Sequence, residues 1–195
     1  MKPTTALIVC AFAVAAVITG CSRAEGGLAT PSSDGNGAPR VPRQLSPVVE
    51  KPRDVRAYGD RPCEVFTSEQ LRGFGFDLPP DRTDTLPSGH RTCDWIDSNR
   101  NGELSVTTYP DWDILERTYL NDATLPVFEP LWIAGLPAVA HQSAPGMPTC
   151  YVTVGLAQRQ GLDVIFTDLR EPPDDPCGAA RAAAEVAVGN LPSLD

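Results

Sequence analysis

The residues best equipped for chemistry are few. His90 and His141 are the only histidines; two cannot build a three-histidine zinc site, although either could serve as a general base. No Gly-x-Ser-x-Gly elbow accompanies them. His141-Gln142-Ser143 is adjacency along the chain, which says nothing of a triad. His90 reads as a loop residue and His141 as a strand end, so neither is assigned a catalytic role. From Ala57 to Asp195 there is no lysine, which removes both a phosphate-cradling P-loop lysine and Schiff-base chemistry.

Two acidic pairs, Asp111/Asp113 and Asp174/Asp175, have the residue types of a glycosidase dyad. Both stand where helices are expected to begin, and carboxylates there cap backbone N–H groups and favour the positive dipole end. Asp97-x-Asn99-x-Asn101-Gly102 matches the first half of a calcium loop. An EF-hand needs a bidentate carboxylate at its twelfth position, where Thr108 stands, and Asn101-Gly102 suits a tight hairpin turn. No metal and no cofactor is therefore assigned. Trp95, Trp112, Trp132, Phe128 and Leu131 could line a ligand groove, but aromatic residues of a small domain more often fill its core.

Of six cysteines, Cys63, Cys93, Cys150 and Cys177 fall between Ala57 and Asp195. Four scattered singly lack the paired spacing of structural zinc sites, and an even number in an exported domain points to two disulfides. Three pairings exist. Cys63–Cys93 and Cys150–Cys177 are favoured because each joins neighbouring elements across a short loop, at ~3.5 kcal/mol apiece on the chain-entropy relation.

The elements that would hold these residues are legible in pattern. Thr67 and Gln70 form a capping box, with Phe66 and Leu71 as a hydrophobic staple. Thr92 to Ile96 and Leu104 to Tyr109 read as strands; Leu104, Val106 and Thr108 alternate with Ser105, Thr107 and Tyr109. Pro79, Pro80 and Pro87 mark a loop up to about Arg91. Asp111 is expected to cap a helix over Trp112 to Leu120. Ile133 to His141 reads as a turn entering a strand. Cys150, Val152, Val154 and Leu156 alternate, Gln158 to Gly161 turn, and Leu162, Val164 and Phe166 alternate again. Asp175 caps a last, alanine-rich helix with Pro176 in its first position. Hairpin-linked strands interleaved with helices predict an α+β domain, mainly antiparallel, with helices packed on one face.

The first 56 residues have a different character. Lys2 precedes thirteen uncharged residues from Ala6 to Ile18, too few for a permanent transmembrane helix, which needs about 20. A positive start, a short apolar core and small residues at its end read as a secretory signal over residues 1–20. Residues 21–56 are rich in Gly, Pro and Ser and poor in periodic apolar residues, so they read as a disordered tether. The domain proper is expected over residues 57–195. It has nine basic and 21 acidic residues, a formal net charge of −12. Nucleic acid and anionic membrane surfaces would repel it.

Ile18-Thr19-Gly20-Cys21 resembles the lipobox of bacterial lipoproteins, in which the cysteine thiol is diacylglycerol-modified, the preceding peptide is removed and the new amino terminus is acylated. The resemblance makes Cys21 the lipidation site and the membrane a partner through fatty chains, since stable anchoring takes more than one. Further pieces accumulate along the chain: Pro62-Cys63, Cys93-Asp94-Trp95, Gly135-Leu136-Pro137-Ala138-Val139, Cys150, Asp175-Pro176-Cys177 and Asn190-Leu191-Pro192. In this order they resemble the actinobacterial lipoproteins of domain-of-unknown-function family 3558. The resemblance implies an envelope lipoprotein on the outer face of the cell membrane and carries over no active-site residues.

The leading expectation is a noncatalytic module that binds a protein or another envelope component. The alternatives are a carrier for an apolar, lipid-like ligand between sheet and helices, and a hydrolase with His90 or His141 beside a carboxylate. Intact mass of membrane-extracted protein is expected to show a chain beginning at Cys21 with acyl chains attached, and Cys21→Ser to accumulate as an uncleaved precursor without acyl mass. A wild-type chain without acyl mass contradicts the anchor.

Overall fold

The computed structural model describes residues 44–170 and 172–194; the expected signal, Cys21 and the first part of the expected tether lie outside them. Seven strands pair into one antiparallel sheet. They are β1 (Arg82–Thr85), β2 (Arg91–Ile96), β3 (Gly102–Tyr109), β4 (Val127–Ile133), β5 (Leu136–Gln142), β6 (Thr149–Ala157) and β7 (Gln160–Asp168). Their spatial order is β1-β2-β3-β7-β6-β5-β4. The sheet is thus two meanders, β1–β3 and β4–β7, joined where β3 pairs with β7. Three α-helices accompany it: α1 (Ser68–Gly73), α2 (Ile114–Leu120) and α3 (Pro176–Asn190). The expected α+β class and both favoured disulfides, Cys63–Cys93 and Cys150–Cys177, are present.

Alternation sorts the two faces. Cys93 and Trp95 of β2, Leu104 and Val106 of β3, Leu162 and Val164 of β7, and Cys150, Val152, Val154 and Leu156 of β6 all point to one side and are fully buried. Ala180, Ala183, Ala184 and Ala187 of α3 close over them. Alanine lets the helix axis approach the sheet closely, and its high helix propensity keeps the segment helical. Val65, Phe66 and Leu71, around α1, complete this core against Trp95, with the Phe66 and Trp95 rings edge to face at 5.7 Å. The capping box of α1 forms between Thr67 and Gln70 as expected.

α2 lies on the other side. A Cβ on Gly155 would stand 2.7 Å from Leu115 Cδ2, and one on Gly161 2.5 Å from Ile114 Cγ2 and 2.9 Å from the Val154 carbonyl oxygen. Gly155 and Gly161 face each other across β6 and β7. This pair of missing side chains makes the trough in which α2 sits, covering one end of a face that is otherwise open.

Several expectations shift. The cap of α2 is Asp113, whose side chain accepts from the Glu116 N–H, and not Asp111. Trp112 consequently stays outside the helix. Gln160 and Gly161 belong to β7, and the β6–β7 turn is the two residues Gln158-Arg159, with Arg159 at a φ of 58°. β1, expected as loop, is a short, wholly exposed polar edge strand, which blunts edge-to-edge pairing. β4, interrupted in sequence by Pro130, is the opposite edge, where an outward position needs no N–H donor.

The boundary at Ala57 also moves. Residues 44–56, read as tether, pack on the domain. The Arg53 N–H donates to Leu156 O (2.8 Å), the Asp54 N–H to Pro192 O (2.9 Å), and the Val55 N–H to Gln160 Oε1 (2.9 Å). The Leu45 and Ser46 N–H groups both donate to the Glu116 carboxylate. The segment is held by its main chain, with Val55 as its one fully buried apolar side chain, so apolar periodicity could not reveal it. Among the described residues no helix is long and apolar enough to cross a membrane.

The Cys150–Cys177 bridge ties the inner strand β6 to the start of α3 across 27 residues. Replacing both cysteines by alanine is expected to lower the unfolding free energy by ~3.5 kcal/mol, measured by urea denaturation. A loss below about 1 kcal/mol would mean that the helix needs no such tie.

Candidate functional site

The face not covered by α3 carries rows of polar side chains running across the strands. Thr92, Thr107, Asp163 and Thr153 stand opposite one another from β2 through β3 and β7 to β6. The next row is Asp94, Ser105, Ile165, Tyr151 and His141. Neighbours in a row are one strand spacing apart, about 4.8 Å. All of these but Thr153 and His141, together with Glu103, Tyr109 and the edge residues Arg82 and Asp84, line an open groove of 480 Å³.

A hydrogen-bonded chain contributed by four strands starts at the lining residues Tyr109 and Asp163 and continues beside the groove through Thr153 to His141. Thr153 Oγ1 donates to Asp163 Oδ1 (2.6 Å), and the Tyr109 hydroxyl donates to Asp163 Oδ2 (3.0 Å). His141 Nε2 lies 3.3 Å from Thr153 Oγ1. Because the Thr153 proton goes to the carboxylate, the Thr153 oxygen accepts from the imidazole. His141 stacks on Tyr151 at 5.0 Å with an interplanar angle of 9°.

Electrostatics follow from depth. Burial pushes the Asp163 carboxyl up to about 6, against the pull of its two hydroxyl donors. Burial pushes His141 down to about 4, so the imidazole is neutral at neutral pH. Burial and the neighbouring Asp163 charge raise the Tyr109 phenol and keep it protonated as a donor. Glu103 is raised by burial and by the charge of Asp94. Asp84 and Asp94 share the Arg82 guanidinium, at 2.7 and 3.2 Å.

The second histidine has a separate setting. His90 Nδ1 is 3.1 Å from Ser88 Oγ and its Nε2 is 3.0 Å from Asp111 Oδ1, with its ring stacked on Trp112 at 5.2 Å. These are the three residue types of an acyl-transfer triad. The Asp111 side chain is 77% exposed, however, so water screens it, and it cannot hold an imidazolium as a buried carboxylate does. What the cluster does is pin the β1–β2 turn to the end of β3.

The remaining candidates disperse. Asp97 receives the N–H groups of Asn99 (2.8 Å) and Asn101 (3.1 Å), so the calcium-like segment is the turn between β2 and β3. No cluster of three metal-ligating side chains occurs among the described residues. Asp175 caps α3. Trp95 is core, Trp112 sits on His90 and Trp132 is 59% exposed on edge strand β4; they line no common groove. Asp163, Glu103 and Tyr109 were not singled out from the sequence as site residues. The signal that could have found them is alternation itself: the polar partners of the core residues in β3 and β7 form a second, equally regular set.

Fold and groove define a disulfide-bonded α+β domain with one sealed face and one open, acidic, hydroxyl-rich face. The chain belongs to the family described as protein of unknown function (DUF3558), whose model matches residues 16–190. No curated protein and no solved structure matches it.

The two shifted groups pull stability in opposite directions. Between about pH 4 and 6 the folded Asp163 keeps a proton that the unfolded chain releases, so its contribution to stability falls as pH rises. Between about pH 4 and 6.5 the unfolded chain holds a proton on His141 that the folded protein lacks, so that contribution grows as pH rises. His141→Phe keeps the stack on Tyr151 and deletes the second slope. Its unfolding free energy relative to wild type is therefore expected to decline from pH 4 to pH 6.5. A difference independent of pH would show that His141 is not buried neutral.

Proposed function

We propose that this protein is an extracytoplasmic lipoprotein, anchored through Cys21, whose domain is a noncatalytic binding module that receives an envelope component on the open sheet face. The observation that carries this reading is the asymmetry of the sheet. One face is sealed by α3 with fully buried aliphatic side chains, while the other presents a 480 Å³ groove with carboxylates and hydroxyls on its floor. A concave site with a few convergent polar groups and shifted ionisations is the usual form of a ligand site. The fully buried alanines of α3 pack directly on the sheet, which weakens the carrier reading, and the exposure of Asp111 weakens the hydrolase reading at His90.

Lipidation at Cys21 would hold this face near the membrane exterior, with at least residues 22–43 between anchor and domain. A photo-crosslinking amino acid at Tyr151, in the groove, is expected to yield a recurrent light-dependent adduct in intact cells. The same group at Leu78, exposed away from the groove, is expected to yield none. Equal adducts from both positions, or none from Tyr151, would defeat the reading.

A further inference from the structure

The open-face groove contains charge that the protein itself does not neutralise. Of its carboxylates, Asp84 and Asp94 share Arg82. Among the described residues Asp163 is met only by the neutral hydroxyls of Thr153 and Tyr109, and Glu103 has no ion pair, the Arg82 charge acting on it only from beyond contact. Taking a carboxylate out of water without a cation is costly, and the upward shifts of both groups register that cost.

A second observation is independent of charge. Ser105 and Thr107 stand side by side along β3 between Glu103 and Tyr109, and they are 8% and 2% exposed. Both line the groove, and neither hydroxyl has a hydrogen-bond partner among the described residues. The hydroxyl oxygens are not shut away from solvent, so their bonding capacity is open to whatever fills the groove. Both lie on the same strip of floor as the uncompensated acids. Thr107 is the direct cross-strand neighbour of Asp163. Glu103 is four residues further along β3, about 13 Å away at the strand rise. The floor is therefore elongated, negative at both ends and rich in hydroxyls between, with Tyr151 and Ile165 giving an apolar wall.

We propose that this groove binds a small organic ammonium ligand, its N–H groups received by one or both of Asp163 and Glu103 and its skeleton hydrogen-bonded by Ser105 and Thr107. The inference rests on the reading of the domain as a binding module and names the chemistry of its ligand. An anion is excluded by the groove's charge, and a purely apolar molecule would strand two hydroxyls and two carboxylates. Two ligand types share the required chemistry. An amino sugar brings one ammonium and a ring of hydroxyls; a linear polyamine brings ammonium groups at both ends of a chain long enough to reach from Asp163 towards Glu103.

Calorimetric titration of the full-length protein at pH 7.5 and low salt, with glucosamine, spermidine and glucose as probes, tests the proposal. At that pH Asp163, at about 6, is ionised. One of the two amines is expected to bind and glucose is not. Asp163→Asn, Glu103→Gln and Thr107→Val are read against that amine, and at least one carboxylate substitution is expected to weaken it about tenfold, the weight of one charge-assisted hydrogen bond. Glucosamine is expected to depend on a single carboxylate and on Thr107; spermidine is expected to depend on both carboxylates. Glu103→Gln, at a half-buried position, serves where Asp163→Asn fails to give a cooperative thermal transition. The proposal is overturned if neither amine binds, if glucose binds as well as glucosamine, or if no carboxylate substitution weakens binding. A Tyr151 crosslink that persists while every amine fails would leave the binding module standing and remove only the ammonium ligand.

Discussion

The pairing of β3 with β7 is the contact on which the rest of the molecule depends. Each meander could form from local hairpins, but alone it would expose an apolar face and a free edge. The β3–β7 ladder runs from Gly102 opposite Asp168 to Tyr109 opposite Gly161, and it joins strands more than fifty residues apart in the chain. It costs loop-closure entropy before it returns anything. The return is a sheet broad enough to give α3 a continuous surface of Val106, Val164, Val152 and Val154.

The same ladder builds the open face. Thr107 meets Asp163 and Ser105 meets Ile165 only in this register, and a slip by one residue would turn the carboxylate into the core and a valine into the groove. The core therefore protects the site's geometry: the aliphatic set and the polar set alternate on the same strands, so holding one in place holds the other. Both disulfides reinforce this arrangement from the sealed side, Cys63–Cys93 at β2 and Cys150–Cys177 at β6. The groove floor is left free of covalent constraint.

Sequence patterns carried far where the cause was local. The capping box at Thr67, the Asp175 cap and the alternation in β3 each depend on residues a few positions apart, and each forms as read; the β6–β7 hairpin forms with a turn two residues shorter than expected. Asp111 failed as a cap because Asp113 has the same chemistry two positions on, and packing of Ile114 and Leu115 into the Gly155–Gly161 trough decided where the helix begins. β1 and β4 were missed because edge strands carry few buried side chains and accept proline. Residues 44–56 were missed because main-chain hydrogen bonds to Leu156, Gln160, Pro192 and Glu116 leave no periodic trace.

The amino-acid sequence by itself determined the family and the α+β class, since these follow from motif order and short-range periodicity, and it favoured one of three cysteine pairings, which the structure decided. It also set the excess of acidic residues over basic ones. Only the tertiary structure decided that Glu103, Ser105, Thr107 and Asp163 share one floor, that Tyr109 and Thr153 clasp a half-buried carboxylate, and that His141 is kept neutral while His90 lies elsewhere. The reason is physical: such neighbours meet across strands distant in the chain, and their ionisation depends on burial, a property of the assembled sheet and not of any one segment.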